Sequence, residues 1–184
     1  SIVRGVSLVI TKGIPVTDLP EAFTIIGTGS IASIPIPAVI MFVLVAIFGF
    51  VLAKTKLGRY TYAIGSNFEA ARLSGINTKR TLISIYIISG FLAACAGLIL
   101  AARVVSAQPT AGTGYELDAV AASVIGGASL LGGEGMILGT FIGALVIGVL
   151  RNGLNLINVS AFWQQIVIGA VIIAAVYIDR VKRK

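Results

Sequence analysis

Apolar residues run without a single charge over Ala38–Ala53, Leu82–Ala102 and Ala161–Ile178. None of these runs keeps a polar face at every third or fourth position, as a helix on the surface of a soluble protein does. At 1.5 Å per residue, a helix of about 20 residues crosses the ~30 Å hydrocarbon core of a bilayer. Each run therefore predicts a membrane helix. The first starts at Pro35 or Pro37, where a missing N–H costs nothing because the first turn has no acceptor for it, and ends at Ala53, next to Lys54. The last is entered through Phe162 and Trp163 and closed by Tyr177, aromatic residues suited to the two membrane interfaces.

The stretch Asp118–Leu150 is apolar but interrupted by Gly126-Gly127 and by Gly132-Gly133-Glu134-Gly135. The pieces left are roughly 13–15 residues each, short for a full crossing. Orientation adds a constraint. Basic residues are retained on the cytoplasmic side of a membrane, and they cluster in Lys54–Arg80 and in the tail Arg180, Lys182, Arg183, Lys184. With both clusters cytoplasmic, an even number of crossings separates them. Leu82–Ala102 and Ala161–Ile178 supply two, so Asp118–Leu150 supplies none or two, as two short passes or as a re-entrant pair turning at Gly132–Gly135. Backbone that leaves the helix at membrane depth must be satisfied by protein or by a water-filled cavity. The segments 1–35, 103–117 and 151–160 are then external. The first of these reads as a turn-rich loop, with Pro15, Pro20 and several glycines, apart from Val6–Ile10, which reads as the tail of a preceding helix. The chain opens on Ser1 without a signal-peptide pattern and is expected to lack an N-terminal part. The fold class is an all-α integral membrane protein: a helical bundle of about five membrane segments, two of them short and Gly-broken or re-entrant, with a short helix in the cytoplasmic loop 54–81. Residues 1–184 form a single transmembrane domain.

Composition narrows the function. Hydrophobic residues make up 57% of the 184 and charged residues 11%, and the mean hydropathy is +1.02. Soluble domains carry about 25% charge. The net charge of +7 does not indicate nucleic-acid binding, because ten of the fourteen basic residues sit in the two clusters beside apolar runs. Cys95 is alone, so there is no disulfide framework. Histidine is absent, and no paired intramembrane carboxylates or metal-ligand cluster occur. No catalytic residue, metal or cofactor is expected.

Ser89, Ala93, Gly97 and Ala101 follow one another at a spacing of four, as do Gly135, Gly139 and Gly143. Such small-residue stripes let helices approach closely in lipid, within the bundle or between subunits. Glu134 is the one acid inside an apolar region. It is a functional-site candidate if it lies at membrane depth and simply solvated if the turn reaches the interface. Gly126, Gly127, Gly132, Gly133 and Gly135 either offer backbone groups to a solute or permit tight turns, and with Glu134 and Asn155 they are candidates for a translocation path. In the basic loop, Ser66 and Glu69 form a capping box and Gly75 suits the left-handed position past a helix end. About two turns of helix, 66–75, are thereby bounded. Alone in water a helix that short is marginal, so a partner or the membrane surface must support it.

Here the chain resembles a known family. Glu69-Ala70-Ala71, three residues, then Gly75 is similar to the motif with which permeases of ATP-binding-cassette (ABC) importers dock a coupling helix into their ATPase. The distal Ile-x-Leu-Pro of the maltose-type branch is absent, with Ile85-Tyr86-Ile87-Ile88 in its place. The string Thr55–Gly65 together with Glu69–Ile76 resembles the ribose-type monosaccharide permeases. So do Ser106–Gly112, Gly114–Asp118 and Asn152-Gly153-Leu154-Asn155-Leu156. The resemblance runs along nearly the whole chain and matches only the C-terminal part of such a permease.

It implies a bacterial inner-membrane subunit that pairs with a second permease copy, receives sugar from a periplasmic binding protein and couples to an ABC ATPase through Glu69, Ala70, Ala71, Arg72, Leu73 and Gly75. The chain has no G-x-x-x-x-G-K-[ST] phosphate loop, so energy must come from a partner or from an ion gradient. The alternative is a secondary transporter with Glu134 carrying the ion in a broken-helix site.

Overall fold

A computed structural model describes residues 2–182, with side chains described through Tyr177. In chain order the elements are α1 (Ile2–Thr11), α2 (Glu21–Thr28), β1 (Ser30–Ile31), β2 (Ile34–Pro35), α3 (Ile36–Lys54), α4 (Lys56–Ser66), α5 (Phe68–Leu73), α6 (Thr78–Val104), α7 (Tyr115–Ile125), α8 (Ile137–Leu156) and α9 (Ala161–Lys182). The all-α class holds, with one two-residue hairpin as the described exception. Helices α3, α6 and α8 are long and apolar enough to cross a membrane. The cytoplasmic assignment of the basic tail falls on residues outside those with described side chains.

The chain divides into two compact units, residues 1–44 with 84–113, and residues 45–83 with 114–184. In the first unit, α2 lies against the end of α6. Gly27 has no Cβ, and the main chain of Ala102 and Arg103 occupies that space, leaving Ala102 fully buried. Val16 and Ala107 exchange both backbone hydrogen bonds, at 3.0 and 2.9 Å, and the Arg4 guanidinium donates to Thr113 Oγ1 at 2.6 Å. Val6–Ile10 is helical as expected, within α1, whereas the rest of the segment expected as loop holds α2 and the β1–β2 hairpin. Ala32 and Ser33 take φ of +50° and +69°, the two left-handed residues that a tight hairpin turn requires. Pro35 closes β2, and Pro37 sits in the first turn of α3 as predicted.

In the second unit, α7 packs against α8 and α9. Ala121 and Ala122 of α7, Ile147 of α8 and Ile168 of α9 form the core, with Ile125, Leu150 and Ile172 at its edge. Small residues on α7 let α8 come close, as expected in a setting where no hydrophobic drive separates helix from lipid. Two expectations are corrected here. Asp118–Leu150 is not a pair of equal short pieces: α7 has 11 residues, the turn 126–136 follows, and α8 runs unbroken for 20. The expected loop 151–160 shrinks to 157–160. Arg151 does not end the helix because its charge is compensated inside the unit, by an ion pair to Asp118 at 2.8 Å.

Candidate coupling site

The basic stretch is helical on both sides of Asn67. Thr55 caps α4, its Oγ1 accepting from Gly58 N–H at 3.4 Å. Asn67 N–H donates to Ala63 O, closing α4, while Asn67 Oδ1 accepts from Ala70 N–H at 2.9 Å, opening α5. The cap is therefore Asn67, one residue beyond the expected Ser66, which is the last residue of α4. Asn is as good a cap as Ser, and only Asn67 has the extended backbone, φ −155° and ψ 106°, that a cap needs. Gly75 takes φ +81°. Its N–H donates to Arg72 O at 3.1 Å and that of Ile76 to Ala71 O at 3.2 Å, the paired bonds of a Schellman stop. Asn77 then caps α6 by accepting from Arg80 N–H at 3.0 Å.

Of the six residues of α5 only Ala71 is buried. Phe68, Glu69, Ala70, Arg72 and Leu73 are exposed, Leu73 at 86%. Leu73 is thus exposed on the same short helix as the charged Glu69 and Arg72. Lys54, Lys56, Arg59, Lys79 and Arg80, on the flanking segments of the same stretch, are also exposed.

The glycine-rich turn is packed against this stretch. Gly132 and Gly133 have φ of +89° and +80°, and Ser129 N–H donates to Glu134 O at 3.1 Å across the turn. A Cβ on Gly132 would stand 2.6 Å from Gly65 O, and one on Gly65 would stand 2.5 Å from Gly133 N. The Tyr62 hydroxyl donates to Gly135 O. Glu134, an exposed residue, therefore lies in a turn seated on α4. At the start of the turn Gly126 packs on the main chain of Gly139, and Gly143 packs on Ala122 O. Gly127 has φ +86° and open space beside it. The candidate glycines thus separate. Gly126, Gly132 and Gly133 meet backbone, whereas Gly127 does not.

Asn155 joins α8 to α9: its Oδ1 accepts from Gln164 Nε2 at 2.7 Å, and the same nitrogen donates to Val159 O at 2.9 Å. Nearby on α7 and α8, Arg151 donates to Asp118 and stands over the Tyr115 ring at 5.6 Å. This polar cluster escaped sequence reading, although one acid and one base bordering otherwise uncharged helices was its signal. Among the packing candidates, Gly139 and Gly143 are in helix–helix contact. Ser89, Ala93 and Gly97 are exposed along α6, Gly97 with nothing within 4 Å, and Ala101 is half-buried.

Three helices among the described residues that are long and apolar enough to cross a membrane, with a short α7 joined to α8 by a glycine turn, define a multi-pass membrane protein. The chain belongs to the family described as branched-chain amino acid transport system / permease component, which matches residues 4–176. It is 48% identical to the ribose import permease protein RbsC of Haemophilus influenzae over 97% of this chain and 57% of the relative. Against RbsC of Bacillus subtilis the identity is 51%, over 99% and 57%. Against the L-arabinose transport system permease protein AraH of Escherichia coli it is 44%, over 100% and 56%. The chain thus spans rather more than half the length of these curated relatives. No solved structure matches it.

Proposed function

We propose that this chain forms the C-terminal part of the permease subunit of an ABC importer, which carries a monosaccharide of the ribose or arabinose class into the cytoplasm and is driven by ATP hydrolysis on a partner subunit. The observation that carries this reading is α5, a helix of six residues bounded by Asn67 and Gly75 that exposes Glu69, Arg72 and Leu73. Its own chain gives it little support, and a helix so short is not stable alone. A docking ATPase supplies the missing contact. Relatives named for ribose and arabinose transport support the sugar class. In this reading the subunit sits in the inner membrane, pairs with a second copy and takes sugar from a binding protein on the face opposite α5. It performs no covalent chemistry: it converts a partner's two-state closure into alternating access.

The test is Glu69→Lys in the full-length protein reconstituted with its ATPase and binding protein. Membrane insertion is expected to be unchanged, and sugar uptake to fall by about tenfold or more, the size of typical couplings between sites. Normal uptake and normal sugar-dependent ATPase activity in that variant would sink the proposal. Uptake without any ATPase subunit, abolished by collapsing a proton or sodium gradient, would favour the ion-coupled alternative. Competition of uptake by leucine rather than by pentoses would move the substrate to the branched-chain amino acids named in the family description.

A further inference from the structure

Tyr62, Gly65 and Ser66 lie three and four residues apart on α4, which places them on one face of the helix. That face meets the turn 126–136, and the contact is main chain on main chain. Gly65 and Gly132 each lack the Cβ that would separate them, and a Cβ on Gly133 would stand 3.0 Å from Ser66 Cα. Side chains absorb displacement by changing rotamer, whereas two backbones in van der Waals contact cannot, because packed interiors have low compressibility. The Tyr62 hydroxyl pins the turn a second time, at Gly135 O.

Both flanks of this contact are stiff. On one side, only Asn67 separates α4 from α5, and it caps both. On the other, the turn is braced by Ser129 N–H on Glu134 O and passes into the α7–α8 hairpin, whose backbones touch at Gly126 and Gly139. We propose that Tyr62 and Gly65 are positioning residues that latch the turn 126–136 to α4, so that displacement of α5 is passed to α7 and α8. This deepens the permease reading and rests on it: α5 receives the stroke, and the latch delivers it to a hairpin inside the membrane.

Two substitutions separate the latch from general folding. Gly65 has no positive φ and sits inside α4, so Gly65→Ala favours the helix while driving a methyl into Gly133 N. Tyr62→Phe removes one hydroxyl and keeps the ring. In proteoliposomes holding the full-length permease, its ATPase and its binding protein, both variants are expected to assemble and to keep sugar-stimulated ATP hydrolysis. Sugar delivered per ATP should fall about tenfold in Gly65→Ala and about threefold in Tyr62→Phe. An unchanged ratio in both would overturn the latch, and if Gly65→Ala fails to assemble, Tyr62→Phe decides. Amide exchange across 128–135 in the isolated permease gives a second readout. It should rise about threefold or more in Tyr62→Phe while α9 stays at the wild-type rate, and unaltered exchange would also overturn the proposal. A wild-type complex that transports without ATP refutes the energy source instead, and the exchange experiment still judges the contact.

Discussion

Replacing Gly139 by alanine sets two effects against each other on a single helix. Alanine in a helix interior is favoured over glycine by about 1 kcal/mol, so an unobstructed site is expected to gain stability. Gly139 is obstructed. Its Cβ would run into Gly126 O, and the reciprocal Cβ on Gly126 would stand 2.5 Å from Thr140 N. These neighbours are main-chain atoms of two packed helices, so relief requires α7 and α8 to move apart and to loosen the core of Ala121, Ala122, Ile147 and Ile168. Overpacking of that kind costs about 1–3 kcal/mol, which outweighs the helix gain. Gly148 lies on the same helix with nothing within 4 Å of its Cβ position, and Gly148→Ala keeps the gain alone. The helix gain is common to both, so at about 2–4 °C per kcal/mol the overpacking alone should separate the two variants in Tm by roughly 2–12 °C, with Gly139→Ala the lower. Size-exclusion chromatography of heated detergent extracts of the full-length protein measures this directly. If both variants melt within about 1 °C of each other, the close α7–α8 approach is not what Gly139 provides.

Asn67→Ala should destabilise α5 by about 1 kcal/mol while Ser66→Ala changes little, seen as faster amide exchange at 68–74 in the first variant only. Asp118→Ala leaves Arg151 without its carboxylate. With the pair's side chains 31% and 18% exposed, the cost falls between that of surface and buried ion pairs, roughly 1–3 kcal/mol. Adding Arg151→Met should recover part of the lost Tm, and strict additivity of the two changes would refute the pairing.

The spanning helices were legible because α3 and α6 each contain a long run without charge, Ala38–Ala53 and Leu82–Ala102, and nothing local competes with that signal. The end of α8 was not legible, since Arg151 looks like the edge of the membrane until its partner 33 residues away is known. Helix α4 is short, polar and contains Gly58 and Gly65, and its stability comes from packing rather than from periodicity. The cap was misread by one position because Ser66 and Asn67 are both competent, and only backbone geometry chooses between them. The hairpin was missed because Ala32-Ser33 carries none of the usual turn chemistry. Gly75, by contrast, was read correctly, as a helix stop of this kind is a local event. The seat of the turn on α4 joins residues nearly seventy positions apart, and no pattern in either segment announces it.

The length of α6 has a consequence for how the helix sits in lipid. Arg80 and Arg103 are 23 residues apart, so their Cα atoms are about 35 Å apart along the helix axis. The hydrocarbon layer is ~30 Å thick. Upright, both guanidinium groups reach the phosphates with length to spare. The helix can also lean by up to about 30°, within the range found for membrane helices, before either charge meets the acyl chains. Across that arc the two charges add no electrostatic penalty, so the tilt of α6 is set by what packs on it, such as α2 at Ala102 and Arg103, and the same helix suits membranes of different thickness.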